Sequence, residues 1–286
     1  MKQELVLQTD FGLNTGYVGA MYGVIKLVDR ELNAYDLNHE IRPFDIRQAS
    51  ELLMATIPFW PQSTVFVSVV DPGVGTKRVP CVAKLHNGSY VVTPDNGTLT
   101  ALADQLAEVR RIDETVNRLP GSENGNTFHG RDVFAYCAAR LAAGIIDYAG
   151  VGPAYDLSEV VTYVQNKPEI GPGYAKGEVQ GAETHFGGLS FNITAEEFKN
   201  TGIQIGDMTH ITIEKDGEVL FDEDVLYHWS FGYVDIGAPV LYNGSTSIYI
   251  SLSLNQRSFV ARYLPNIFAI GEKFSDYHVT IRKKQG

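Results

Sequence analysis

An acidic and a basic residue flank a glycine-rich loop at the end of a predicted strand. The run Thr64–Val70 is apolar and β-branched, which predicts a buried strand, and Asp71 follows it directly. The next four residues, Pro-Gly-Val-Gly, break the strand, because glycine adopts backbone conformations that other residues resist. The loop can therefore return Arg78 to the side of Asp71. Such a pair is either a surface ion pair of small energetic value or a proton acceptor beside a fixed positive charge.

A histidine marks a second polar stretch, 126–134, at the start of a predicted helix over Gly130–Ala143. Thr127 is a candidate N-cap for that helix. A helix N-terminus disfavours a protonated imidazole, so we expect a neutral His129 that exchanges one hydrogen bond. A lone histidine at a helix start is more often a cap or packing residue, so its role depends on the surrounding pattern.

Four aspartates, Asp10, Asp36, Asp71 and Asp95, each follow a predicted strand. In open parallel sheets these strand ends meet at the edge where ligands bind. For Asp36 and Asp95 we favour the simpler role of holding loops through hydrogen bonds. With His39, the first three aspartates also form a candidate metal cluster, although the chain lacks the close ligand spacing of an HExxH motif.

The first part of the chain, 1–165, alternates strands with helices. This alternation predicts an α/β domain with a largely parallel sheet flanked by helices. The strands are expected at Leu5–Thr9, Thr64–Val70, Pro80–Lys84, Ser89–Thr93 and Val109–Ile112, and the helices at Tyr17–Leu32, Ile46–Phe59, Leu99–Glu108 and Gly130–Ala143.

The character of the sequence changes at a proline- and glycine-rich stretch, 166–173, which predicts a linker. Residues 174–286 contain short apolar runs separated by glycine and asparagine, and only Ala195–Asn200 and Ser258–Tyr263 have a helical pattern. The second domain is therefore predicted to be antiparallel and β-barrel-like.

Composition argues against several classes of function. A hydrophobic content of 44% is typical of a globular protein, and a net charge of -11 without a basic block disfavours nucleic acid as a partner. Cys81 and Cys137 form neither a disulfide framework nor a CxxC metal site. We expect no signal peptide, and the sequence contains no apolar run of membrane-spanning length. We expect a cytoplasmic protein without a membrane partner.

Four motifs occur in the order found in one known family. They are Asp10-Phe11-Gly12, the loop at 71–75 with Arg78, Pro94–Gly97 and Thr127–Asp132. In these motifs the chain resembles the S-adenosyl-L-methionine (SAM) hydroxide adenosyltransferases, or SAM hydrolases, which are relatives of fluorinase and chlorinase. The resemblance covers essentially the whole chain. It implies an N-terminal α/β domain, a C-terminal β-barrel domain and a homotrimer whose active sites lie between the N-terminal domain of one subunit and the C-terminal domain of the next.

The resemblance also implies the site residues. Asp71, Arg78 and His129 would position an attacking water, and Asp10 would hold the two ribose hydroxyls. The other implied substrate-binding positions are Thr15, Phe44, Thr184, Phe186, Gly188, Phe231, Thr246 and Gln256. Neither a metal nor a cofactor is implied.

The implied reaction is hydrolysis of SAM to adenosine and L-methionine by in-line attack of water on C5′ of the ribose. The sulfonium departs neutral, so the chemical demand is to orient the water and remove its proton. The halogenases carry a serine where this chain has Gly130 and other residues at the Asp and His positions. Water is therefore a better nucleophile here than a halide.

Some positions depart from the family pattern and leave the donor open. Thr15, Thr184 and Gly188 replace an Asp, an Asp and an Asn, and Arg257 replaces a small residue. The two lost carboxylates lie where the family holds the methionine ammonium, so methionine binding should be weaker. One alternative is the same chemistry on another 5′-substituted adenosine. Others are a non-catalytic adenosine- or SAM-binding protein, against which the retained trio argues, and, last, a metal-dependent hydrolase.

Overall fold

The computed structural model describes residues 2–125, 127–245, 247–269 and 271–284. The chain divides into two compact units, Met1–Tyr163 and Val164–Gly286, and each has its own sheet and apolar core. The stretch 166–173, predicted as a linker, lies in the second unit and contains a short strand at Glu169–Gly171.

The first unit is built on a seven-stranded sheet. Its strands are β1 (Leu5–Thr9), β2 (Ala34–Asn38), β3 (Val65–Val69), β4 (Val79–Leu85), β5 (Tyr90–Asp95), β6 (Leu106–Arg111) and β7 (Ala154–Tyr155). Their order is β2-β1-β3-β5-β4-β6-β7, and the first four of these are mutually parallel. Strand β4 is antiparallel to β5, because the Asn87-Gly88 turn joins the two as a hairpin. Strand β6 is antiparallel to β4, and β7 is antiparallel to β6. The predicted α/β class, with a parallel centre, is confirmed.

Helices cover both faces of this sheet. They are α1 (Tyr17–Val28), α2 (Ile46–Thr56), α3 (Glu114–Asn117) and α4 (Tyr136–Ala142). Leu5 and Leu7 of β1 belong to the core that includes Met21 of α1, whereas Val6 between them packs with Leu53 of α2. Successive residues of a strand face opposite sides, so a central strand that is covered twice must be apolar throughout.

Two of the predicted helix boundaries are wrong. The helix predicted over Leu99–Glu108 is a 3-10 helix at Thr100–Gln105, because Leu106 already pairs with Leu85 of β4 and sheet hydrogen bonds replace helical ones. Helix α1 ends at Val28 rather than at Leu32, since the next residue has an extended backbone.

The second unit is a closed barrel. Its strands are β8 (Glu169–Gly171), β9 (Tyr174–Ala182), β10 (Leu189–Thr194), β11 (Met208–Lys215), β12 (Glu218–Tyr227), β13 (Pro239–Asn243), β14 (Tyr249–Leu254) and β15 (His278–Lys283). Strand β10 pairs with both β14 and β9, which closes the seven strands from β9 to β15. All pairs are antiparallel except β12 with β13, so the predicted antiparallel barrel is confirmed.

Apolar side chains fill the barrel, among them Phe191, Ile211 and Phe259. Two short helices, α5 (Ala195–Lys199) and α6 (Phe259–Tyr263), lie where helical patterns are predicted. Within the described residues, no helix is both long and apolar enough to cross a membrane.

The barrel core makes a stability prediction. Phe191→Ala should lower the free energy of unfolding by about 3–5 kcal/mol, because it removes a fully buried aromatic ring and leaves a cavity. Urea unfolding followed by circular dichroism measures the change. Val219→Ala on β12, where the side chain is 54% exposed, is the control and should cost no more than about 0.5 kcal/mol. Equal losses for the two variants would contradict the packing described.

Candidate active site

The loop between β3 and β4 carries Asp71 and Arg78. Asn96 donates from Nδ2 to the carbonyl of Val70 over 2.9 Å, which fixes the end of β3 beside the end of β5. A side chain at Gly73 would place its Cβ 3.3 Å from Cγ of Arg78. The glycine therefore leaves room for the arginine to fold back across the loop.

Arg78 forms a buried, forked ion pair with Asp71. Its Nε lies 3.0 and 2.9 Å from the two carboxylate oxygens, and its Nη2 lies 2.5 Å from Oδ2. The side chains are only 8% and 5% exposed, so this is not the surface ion pair that the sequence left as an alternative. Phe134 covers the guanidinium, 5.0 Å from its ring centre. Removing one partner of such a pair strands the other charge away from water.

The same guanidinium fixes His129. Nη2 of Arg78 lies 2.9 Å from Nδ1 of His129. Guanidinium nitrogens only donate hydrogen bonds, so Nδ1 must accept, and the neutral ring carries its proton on Nε2. Burial, and secondly the positive charge of Arg78, lower the pKa of His129 below its ordinary value. The ring is therefore a neutral donor whose Nε2 is buried and bonded to no described residue.

Residue 129 begins an irregular helical segment. His129 itself, rather than Thr127, is the N-cap residue, which corrects the predicted cap. The helix predicted over Gly130–Ala143 starts with a π-helical stretch, Gly130–Ala135, and continues as α4. Such wider turns are frequent at functional sites.

Aromatic rings join this segment to the Asp10 turn. Phe11 and Tyr17 contact Phe128 edge-on, with ring centres 5.9 and 5.3 Å apart. A Cβ at Gly130 would lie 3.0 Å from the ring of Phe11, so the glycine permits close packing. Sequence reasoning missed this role of the aromatic residues, although one of them stands beside each polar candidate.

Asp10 is placed by a backbone hydrogen bond. Its Oδ2 accepts from the N–H of Phe44 over 2.9 Å. Burial, the largest influence, and the negative charge of Asp71 raise the pKa of Asp10. Phe44 has a left-handed backbone, with φ of 69°, and an exposed ring. Asp10 and Phe44, two of the implied substrate-binding positions, thus lie together. Thr15, a third, is exposed in the bend just before helix α1.

Asp36 holds a loop instead of facing the ligand edge. It lies within β2 and accepts from His39 Nε2 over 2.8 Å and from the hydroxyl of Tyr22 over 2.5 Å. Nδ1 of His39 lies 2.9 Å from the hydroxyl of Thr9. The backbone carbonyl of His39 accepts a hydrogen bond from the N–H of Gly12. This hydroxyl–imidazole–carboxylate chain fixes the residues on both sides of Asp10; since Thr9 is fully buried, it offers no accessible nucleophile.

Asp95 has a similar structural role. Its carboxylate accepts from the hydroxyl of Tyr155 over 3.0 Å and from the N–H of Val161 over 2.9 Å. Burial raises its pKa, and the two hydrogen bonds oppose that change. The favoured interpretation of both Asp36 and Asp95 as loop-holding residues agrees with these contacts.

The residues of the alternative metal cluster each form hydrogen bonds or ion pairs that leave them no common ligand geometry. Asp10 bonds to a backbone amide, Asp71 to an arginine, and Asp36 and His39 to each other. Across the described part of the chain, no three His, Cys, Asp or Glu residues are grouped so that they could hold a metal ion.

In the second unit a cleft of about 850 Å³ gathers most of the other implied positions. It is lined by Phe186, Gly188, Phe231 and Gln256, together with charged and hydroxyl-bearing residues. Thr184 is exposed and is not part of the lining, and Thr246 lies outside the described residues. A Cβ at Gly188 would lie 2.4 Å from Oγ of Ser253, so that hydroxyl fills the space of the missing side chain.

The state of His129 can be tested by titration. Because its pKa is lowered, the ring should stay neutral to a pH below the ordinary histidine value of 6.5 and become protonated only on further acidification. Arg78→Met should raise that pKa by removing the neighbouring positive charge. Chemical shifts of the imidazole measure both. Lys77→Met, which removes an exposed charge from the same loop, is the control. A pKa of His129 that is equal in the Arg78→Met and control proteins would contradict the described contact.

Comparisons with known proteins agree with the geometry. Residues 5–152 match the family model of the SAM hydroxide adenosyltransferase N-terminal domain. An (R)-S-adenosyl-L-methionine hydrolase of Methanocaldococcus jannaschii is 41% identical over 141 residues, 48% of this chain and 52% of that protein. A protein of the same name from Thermus thermophilus is 34% identical over 257 residues, 87% of this chain and 91% of that protein.

The fold is shared as well. A crystal structure from Thermotoga maritima, described as an uncharacterized conserved protein, has a TM-score of 0.83 and 31% identity, with 97% of this chain and 99% of that chain covered. The match to the Methanocaldococcus hydrolase spans about half of that protein, whereas the Thermus match spans nearly all of it. The chain belongs to the SAM hydroxide adenosyltransferase family.

Proposed function

We propose that this protein hydrolyses S-adenosyl-L-methionine to adenosine and L-methionine. The observation that carries the proposal is the buried, unpartnered Nε2–H of His129 beside the Asp71–Arg78 pair. Nη2 of Arg78 contacts both His129, which can donate a hydrogen bond from Nε2, and Asp71, which can accept one. A donor and an acceptor held by the same nitrogen suit a single water better than a large ligand. The names of the Methanocaldococcus and Thermus relatives support the same substrate.

We assign the partners of that water from the donor and acceptor capacity of the two side chains. The water accepts from Nε2–H of His129 and donates to a free lone pair of Asp71. Its second lone pair is then available to attack C5′ of the ribose. The new O–C5′ bond forms as the C5′–S bond breaks, the sulfonium leaves as the neutral thioether of methionine, and the proton passes to Asp71. A positioned base of this kind contributes about 10²–10⁴-fold to a rate.

Arg78 orients both residues at once. Its Nε and Nη2 fix the orientation of the carboxylate, and Nη2 also holds the histidine in the tautomer that donates. Because these groups are fixed before the reaction, little reorganisation is required in the transition state. A pure adenosine-binding protein has no use for such an arrangement, which is why we favour an enzyme.

The sulfonium also determines what the site does not need. A leaving group that departs neutral requires no Lewis acid and no protonation, so the proposed reaction is independent of metal and of cofactor. We assign the two ribose hydroxyls to Asp10 and the faces of adenine to Phe186 and Phe231, following the resemblance. Since the named relatives are hydrolases of the (R)-sulfonium epimer, we propose the same preference here.

The reaction gives a direct test. Purified protein incubated with each sulfonium epimer should release adenosine and methionine, faster from the (R)-epimer and unchanged by EDTA. Asp71→Asn should lower the turnover rate by about 10²–10⁴-fold, because the proton acceptor is lost. Asp104→Asn, at an exposed carboxylate, is the control. Chromatography measures the products. Adenosine retained tightly without turnover would favour the binding protein, and loss of activity in EDTA would favour the metal hydrolase.

We further propose a homotrimer in which each active site combines the first unit of one subunit with the second unit of another, as the resemblance implies. Co-expression of Asp71→Ala with Phe186→Asp/Phe231→Asp should then restore about a quarter of wild-type activity, because one site in four pairs two intact units.

Each variant expressed alone should be nearly inactive, and light scattering should report a trimer for both. An inactive co-expressed sample that is nevertheless trimeric would contradict the shared site. A monomeric wild-type protein would contradict the assembly itself.

A further inference from the structure

The motif Pro94–Gly97 is not explained by the residues that handle the proposed water. Strand β5 ends at Asp95, and the chain turns there into the 3-10 helix at Thr100–Gln105. We call residues 95–100 the β5 turn. Its polar side chains bond to the backbone of two other segments, the end of β3 and the last residues of the first unit.

Asn96 points a fixed donor at the end of β3. Its Oδ1 accepts from the N–H of Thr98 over 3.3 Å and from the Thr98 hydroxyl over 2.9 Å. These two contacts orient the amide, so that Nδ2 donates to the carbonyl of Val70 over 2.9 Å. That carbonyl belongs to the peptide group that joins Val70 to Asp71. Asn96 therefore holds the backbone from which the Asp71 carboxylate projects.

The last residues of the first unit brace the same turn. Asp95, only 6% exposed, accepts from the N–H of Val161 over 2.9 Å and from the hydroxyl of Tyr155 over 3.0 Å. The hydroxyl of Thr100 accepts from the N–H of Tyr163 over 3.1 Å. Both ends of the β5 turn are thus bonded to segment 155–163, and the Asn96 amide projects from between them.

We infer that Asn96 is a positioning residue for Asp71 and that segment 155–163 keeps it in place. The inference rests on the proposed function, in which Asp71 takes a proton from an attacking water. Such a step depends on placement, because a displacement of about 1 Å can cost about 100-fold in rate. Arg78 restrains the carboxylate of Asp71 and Asn96 restrains its backbone, so loss of the amide donor leaves the residue held at one end.

The first test removes the donor and keeps the acceptor. Asn96→Asp retains the oxygen that accepts from Thr98 but places a second oxygen opposite the carbonyl of Val70. It should lower kcat for S-adenosylmethionine about 10- to 100-fold and leave KM within about twofold, because Asp71 orients water rather than substrate. Asn87→Asp, the same change at the exposed turn before β5, is the matched control. A higher KM with unchanged kcat, or equal losses in the two variants, would overturn the inference.

Tyr155→Phe tests the brace. It removes the hydroxyl that donates to Asp95 and keeps the aromatic ring. It should lower kcat roughly two- to tenfold, the effect of one ordinary hydrogen bond, with KM unchanged. Added to Asn96→Asp it should cause little further loss, since both changes act through one turn. Tyr90→Phe, at the other end of β5, is the control. Fully additive losses would overturn the role of the segment.

Failure of the proposed function is distinguishable, because the imidazole of His129 reports the placement of Asp71 through Arg78 without turnover. Asn96→Asp should move the chemical shifts of that ring at neutral pH, whereas Asn87→Asp should leave them at wild-type values. Unchanged His129 shifts in a folded Asn96→Asp protein would overturn the inference even if the wild-type protein hydrolyses no donor.

A second variant covers the case in which Asn96→Asp does not fold. Thr98→Val keeps the size of a fully buried side chain and removes only the hydroxyl that donates to Asn96. It should shift the His129 resonances in the same way and lower kcat roughly two- to tenfold with KM unchanged. Wild-type shifts together with a wild-type kcat would overturn the inference.

Discussion

A single guanidinium organises the site of the first unit. Arg78 is buried, so its charge must be matched, and Asp71 supplies the match through a forked contact. The remaining donor direction of the same group is directed to His129 and sets its tautomer. The glycines of the loop and the Asn96 contact serve this geometry, because each holds the arginine or the strand end that precedes it.

The two units supply different kinds of electrostatics. In the first, the charges of Asp71 and Arg78 are buried and paired, which suits the orientation of a water that we propose. In the second, the charged side chains that line the cleft, Glu183 and Arg257, are exposed to solvent.

Much of the fold was predictable because local patterns coincide with tertiary demands. The apolar run before Asp71 is a buried central strand, and the change of pattern after residue 165 corresponds to the barrel. The helix boundary predicted near Leu106 was wrong because strand pairing overrides the local helix propensity. The pairing of Leu106 with β4 shortens a predicted helix.

The sequence by itself determined the residue types, the order of the motifs and hence the family, since these depend only on which side chains follow which. The tertiary structure alone decided how distant groups meet. His129 accepts from an arginine 51 residues away, which establishes its donating nitrogen. Phe186 and Phe231 lie far apart in the sequence, yet both line one cleft of the second unit. A hydrogen bond or a charge pair is a distance in space, and spacing along the chain does not specify it.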